Sequence, residues 1–178
     1  VIVTHGTPGI RAAKQATSTI PIVLAIASDA VLAGLIANIT RPEANITGLT
    51  FSNPELAAKR LEVLKDTFPH IKRIAVLQNP DNPAMGPLLK AMEQSTKSLK
   101  LELLLVGVRT PEEFESAFSA MAGKRSEAVV VIEDAMLNGN IKKIADLAAK
   151  RKLPAIGLPE FAEAGGLLAY GVNLVQIF

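Results

Sequence analysis

The chain has 178 residues, 49% hydrophobic and 20% charged, with a formal net charge of +2; this is the composition of a folded globular protein. So small a charge argues against nucleic acid as a partner, and the absence of cysteine excludes disulfides, thiolate catalysis and Cys-based zinc or iron–sulfur centres. Aromatics make up only 4% and Trp is absent, so the core must be mostly Val, Ile, Leu and Ala, which suits α/β layers.

An apolar run over residues 1–4 predicts a first strand, which breaks into Thr4-His5-Gly6-Thr7-Pro8 before a helix over 10–18. A second strand at 22–27 meets Ser28-Asp29, and the spacing beyond predicts a helix over 30–40. That Ser-Asp pair also cuts the longest apolar stretch, so no run reaches the roughly 18 residues that would span a bilayer. A strand at 46–51 precedes Asn53-Pro54-Glu55, an Asn cap with Pro at the first helical position of a helix over 54–67. Asn82-Pro83 repeats the arrangement between a strand at 73–78 and a helix over 83–99. After a strand at 102–106, Thr110-Pro111-Glu112-Glu113 reads as a capping box, with Glu113 reaching back to the Thr110 amide. In the helix over 111–123, Phe114, Ala117, Phe118 and Met121 fall at i, i+3, i+4 and i+7, which predicts one buried face. A strand at 128–132 follows. The helix over 139–152 ends in Lys150-Arg151-Lys152, cations that complement the helix dipole. Strands at 155–157 and 167–171 complete the series.

Strict alternation of apolar strands with helices implies parallel sheets covered by helices on both faces. Ligands of such sheets bind beyond the carboxyl ends of strands. The loops there carry Thr4 to Pro8, Ser28-Asp29, Asn79 to Asn82, Arg109-Thr110, Glu133-Asp134 and Tyr170 to Asn173. Amides and hydroxyls beside helix N-termini suit a polar or carboxylate-bearing small molecule; the same residues are also ordinary helix caps.

Other chemistries fit less well. No G-x-x-x-x-G-K-[ST] phosphate loop is present, and Gly6 and Gly9 lack the third glycine and the later acid of a dinucleotide fingerprint. His5 and His70 are the only imidazoles and lie far apart, so no metal site is expected. His5 could act on Thr7 or Ser28, yet there is no G-x-S-x-G elbow. Glu133-Asp134 could hold a ligand ammonium or cap the next helix.

The runs "GTPGIRAAKQATSTIPIV", "DAVLAGLIANITRPEANITGLT", "PELAAKRLEVLK" and "PEFAEAGGLLAYGVNL" lie in order along essentially the whole chain. Together they resemble the ABC-transporter substrate-binding proteins, in the family that includes tryptophan- and tyrosine-binding members. The resemblance implies a type I periplasmic-binding-protein fold: two α/β lobes, each a parallel sheet with helices on both faces, joined by hinge strands. It also implies that lobe one is incomplete. Residues 1–48 would be its later part, 49–166 the second lobe, and 167–178 the hinge strand and return crossing, with Gly48 and Gly171 absorbing the hinge angles.

Carried over by position, Thr7, Pro8, Ser28 and Asp29 would face a solute from lobe one. Asn79, Asn82 and Asp134 would face it from lobe two, with Tyr170 and Gly171 near the hinge. The sequence departs from the family pattern at Gly9-Ile10, at Ala30 and at His5, and only Tyr170 offers an aromatic ring for the cleft. The function implied is that of a non-enzymatic receptor without cofactor or metal. It would capture a small solute, an amino acid or related carboxylate being the candidates, and deliver it to an ABC transporter permease. Such a receptor is periplasmic or otherwise extracytoplasmic, and touches the membrane only through a lipid anchor or the permease. The alternative is the ligand-sensing core of a lac-repressor-like regulator, which shares the fold. For the receptor, Asp134→Ala or Asn79→Ala is expected to weaken solute binding with little loss of stability.

Overall fold

A computed structural model describes residues 1–28, 30–31, 34–38, 40–41, 45–51 and 53–173, with the backbone alone at Ser28, Phe51 and Asn53. Its strands fall where the apolar runs predict them: β1 (Ile2–His5), β2 (Ile22–Ser28), β3 (Ile46–Phe51), β4 (Arg73–Gln78), β5 (Glu102–Gly107), β6 (Ala128–Val131), β7 (Ala155–Gly157) and β8 (Leu168–Ala169). They form two sheets, one of order β1-β2-β3 and one of order β5-β4-β6-β7-β8. Every pairing is parallel. The chain is therefore α/β in both sheets, as the alternation requires.

The helices are α1 (Thr7–Ala16), α2 (Asn53–Thr67), α3 (Met85–Leu99), α4 (Phe114–Gly123), α5 (Ala135–Gly139), α6 (Ile141–Lys150) and α7 (Pro159–Glu163). In the five-stranded sheet the side chains of β4 divide by parity. Ile74 and Val76 join Ala57, Leu61 and Leu64 of α2 and Leu88 and Met92 of α3. Ala75 and Leu77 face the other way, onto Phe114 and Phe118 of α4 and Ile144 and Leu147 of α6. Phe114, Phe118 and Met121 are fully buried and Ala117 nearly so, as their helical spacing predicts. A separate, smaller cluster around Ile10, Ile22, Leu24 and Ile46 packs α1 against the three-stranded sheet.

Several local expectations are corrected. The stretch predicted as a helix over 30–40 is turn and bend at its described residues. Gly34 lies at φ 68, and the amides of Leu35 and Ile36 both bond back to the Ala30 carbonyl, closing a loop too wide for an α-helix. The helix predicted from Pro83 starts two residues later. Asn82 accepts from the Ala84 amide at 3.1 Å in an Asx turn, and its own amide is used elsewhere. Glu113 reaches one residue beyond the expected capping-box partner, accepting from the Arg109 amide at 2.8 Å, while residues 111–113 form a 3-10 turn before α4. The helix predicted over 139–152 is α6, which starts at Ile141 after Asn140, whereas the short helices α5 and α7 had no periodic signal to announce them.

Candidate functional site

The five-stranded sheet changes winding direction between β4 and β6, and the crevice beyond their carboxyl ends is where such a sheet binds ligands. The β4 end supplies Asn79 and Asn82, and the β6 end supplies Glu133 and Asp134. From the other sheet, the end of β1 brings His5 and Gly6, and α1 begins with Thr7 and Pro8. These two sets enclose a cavity of about 60 Å³, lined by His5 to Pro8 and Ile26 on one side and by Asn82, Glu133 to Ala135 and Asn138 on the other. The walls come close: a Cβ on Gly6 would stand 3.6 Å from the Ala135 Cβ. Gly6 holds φ 70, the left-handed region, so glycine suits this corner.

Asp134 is 5% exposed and collects the polar groups of its wall. Its Oδ1 accepts from the amides of Met136 at 2.9 Å and Leu137 at 3.3 Å, which caps α5. Its Oδ2 accepts from Asn82 Nδ2 at 2.9 Å, and Asn79 Nδ2 lies 3.4 and 3.5 Å from its two oxygens. The asparagine orientations are fixed by their other ends, since Asn79 Oδ1 accepts from the Asp81 amide and Asn82 Oδ1 from the Ala84 amide. Asp134 is thus both a cap and a cleft residue. Replacing it by alanine strands buried donors and costs stability, contrary to the expectation of a benign substitution.

Opposite Asp134, Thr7 is 2% exposed and its hydroxyl has no hydrogen-bond partner. Of the other expected site residues, Pro8 lines the cavity, Ser28 closes β2 beside Phe51, and Asp29 lies outside the described residues. The Tyr170 ring does not line the cavity; its side chain is 39% exposed, and its backbone carbonyl turns inward instead. That carbonyl accepts from Arg60 Nε at 2.8 Å. Gly171, at φ 150, lies against the same guanidinium.

Arg60 is not among the residues that the sequence points to, and Glu133 enters there only with Asp134, as a pair that could hold a ligand ammonium or cap the next helix. Arg60 is fully buried and its Nη2 pairs with Glu133 Oε1. A signal existed: Ala57, Arg60, Leu61 and Leu64 share one face of α2, and a cation within an apolar stripe requires a buried partner. Among the described residues no cluster of three or more His, Cys, Asp or Glu could hold a metal ion. No described helix is long and apolar enough to cross a membrane.

With this geometry in view, comparison with known proteins is informative. The sequence model of a family described as ABC transporter substrate binding protein matches residues 1–177. The "Tyrosine-binding protein" of Clostridioides difficile (strain R20291) is 28% identical over 163 residues, 92% of this chain and 46% of that protein. The fold matches the crystal structure of an ABC domain in complex with L-Trp from Streptococcus pneumonia, with a TM-score of 0.88 at 21% identity over 99% of this chain and 61% of that one. A conserved domain protein from Vibrio cholerae gives the same TM-score at 27% identity, over 98% of this chain and 58% of that one. The ligand-free, open structure of a substrate-binding protein from Clostridium difficile gives 0.65 at 26% identity, over 99% of this chain and 59% of that one. The chain therefore spans about half the length of the curated relative and about three-fifths of these structures.

Proposed function

Because the chain belongs to the ABC transporter substrate-binding protein family, we propose that it is part of a receptor that captures a small solute between two lobes and delivers it to a membrane permease. The observation that carries this reading is the cavity at the mouth of the sheet's switch point. It joins Thr7 at the start of α1 to Asn82, Glu133 and Asp134 across the cleft. The family is one of solute-binding proteins, which supports a receptor rather than an enzyme. Extracytoplasmic placement, usual for receptors of ABC importers, follows from the same reading, as does a permease partner.

The solute class we favour is an amino acid or related small carboxylate. A tyrosine-binding relative and a tryptophan-bound structural neighbour support it. At about 60 Å³ the cavity takes a polar head group and falls well below the roughly 300 Å³ at which small-molecule pockets begin. Loading then needs the two walls to part, and the solute favours the closed form because it touches both. In lobe terms, residues 1–48 form part of the first, 49–166 the second, and 167–178 the return, with Asn79, Asn82 and Asp134 facing Thr7 and Pro8 across the gap.

The test is thermal denaturation of the intact receptor against L-amino acids and small aromatic carboxylates. A ligand present at a hundred times its Kd stabilises by about 2.7 kcal/mol, which a melting curve resolves. Asn79→Ala, which removes the long contacts to Asp134 and one exposed turn bond from the Asp81 amide at 3.1 Å, should lower affinity at a small cost to the unliganded midpoint. No shift with any of these compounds would overturn the solute class, and unchanged affinity in Asn79→Ala would overturn the site.

A further inference from the structure

The two carboxylates at the end of β6 are in opposite states. Asp134 is supplied with N–H donors from two backbone amides and two asparagines. Glu133, 4% exposed and lining the same cavity, pairs through Oε1 with Arg60, and its Oε2 is buried with no hydrogen-bond partner. The hydroxyl of Thr7, on the opposite wall, is also buried and unpartnered. A carboxylate oxygen can only accept, and a hydroxyl can do either, so a group placed between them must bring at least one donor.

The Arg60 side holds Glu133 in this state. The guanidinium donates from Nη2 to Glu133 and from Nε to the Tyr170 carbonyl, two directions fixed by one planar group. A buried pair kept for stability alone gains little over apolar packing, and Arg–carboxylate pairs frequently engage both oxygens. Here one oxygen remains uncommitted on a residue that lines the cavity.

We propose that Glu133, held by Arg60, contacts the solute through Oε2 and selects for a hydrogen-bond donor, either an ammonium or a hydroxyl, opposite Thr7. The proposal rests on the receptor reading and names the residue that sets solute chemistry within it. Arg60 acts as the positioning residue. Asp134, its donors already assigned, holds the wall in shape.

The experiment measures calorimetric affinity in the intact receptor for three probes. They are L-tyrosine, its des-amino analogue 3-(4-hydroxyphenyl)propionate and O-methyl-L-tyrosine, with L-tryptophan as a second parent compound. Glu133→Gln keeps shape but places a donor at one position of the carboxylate, so affinity for the parent compound should fall about tenfold or more, as expected for losing a hydrogen bond to a charged group. The loss should shrink to less than about twofold for the one analogue that lacks the selected donor. The des-amino analogue identifies an ammonium, and the O-methyl analogue identifies a hydroxyl. Should the single variant fail to fold because Arg60 is left unpaired, Arg60→Gln combined with Glu133→Gln removes both charges together and should show the same selective loss. Equal loss across all probes means that the pair is structural and overturns the proposal while leaving the receptor reading intact. No binding of either parent compound by the unaltered receptor overturns the aromatic-amino-acid solute and the proposal with it.

Discussion

Gly48 lies within β3 at φ 141, where a Cβ would stand 2.2 Å from the Leu24 carbonyl oxygen and 2.6 Å from the Leu24 nitrogen. Backbone cannot move aside as a flexible side chain would, and the β2–β3 register already shifts between Leu24 and Ala27. Gly48→Ala should therefore cost about 3 kcal/mol or more, the range of backbone strain combined with a forced clash. Urea denaturation of the intact protein checks this, and an unmoved midpoint would contradict it. The family resemblance implies a hinge role for Gly48, and the packing of adjacent strands gives a separate, local reason for glycine there. Single residues were legible where their chemistry was local, as with the Asp134 cap. Arg60 was harder to read because its partners Glu133 and Tyr170 lie 73 and 110 residues further along the chain.

Elements were legible where apolar periodicity was strong, as in α4, and less so where chain geometry decided. The loop after β2 has an apolar composition compatible with a helix, but Gly34 and the wide return bonds to Ala30 take it elsewhere. Three exits from helices in the larger layer, at Lys100, Arg125 and Lys152, are left-handed without glycine, so the usual C-terminal stop signal was missing from the sequence. The start of β4 is tied to the approach to β6 by a single carboxylate. Glu127 Oε2 accepts from the Lys72 amide at 2.7 Å and the Arg73 amide at 2.8 Å. The Arg73 amide first and the Lys72 amide second hold this carboxyl below its ordinary value of 4.5. A group whose folded pKa is depressed stabilises fully above its unfolded value and loses that contribution as pH falls through the folded one. Wild type should thus exceed Glu127→Gln in stability at neutral pH, and the gap should narrow on acidification below about pH 4.5. Midpoints of urea denaturation at a series of pH values check this; a gap independent of pH would exclude the tie.

At the scale of the molecule, the βαβ alternation made the α/β class and the parallel winding of its strands readable. The order β5-β4-β6-β7-β8 was not readable, because it depends on which face each helix takes, and helix period alone leaves that open. The position of the site followed once that order was known, since the reversal between β4 and β6 brings Asn82 and Asp134 together across 52 residues. Among the described residues the larger sheet has an apolar cluster on each face, whereas the smaller has one around Ile10 and Leu24. Hydrogen exchange on residues 1–178 should therefore find the amides of β4 and β6 opening only with global unfolding, and those of β1, outermost of the three described strands with Val3 exposed, opening first. Equal protection in both sheets would show that they unfold as one unit.

The buried bond between Arg60 and Glu133 also bears on how this chain could change over generations. Losing either partner alone leaves a charge stranded in the interior, at a cost of about 3–5 kcal/mol, a large share of the roughly 5–15 kcal/mol that holds a typical fold together. Gly171 adds a third constraint, since a Cβ there would lie 2.9 Å from the same guanidinium. Single steps at this corner are closed, and drift must pass through paired replacements. Among the described residues the loops around Asn79 and His5 hold no buried ion pair, so single replacements have their more open route there, while the wall behind Glu133 stays where it is.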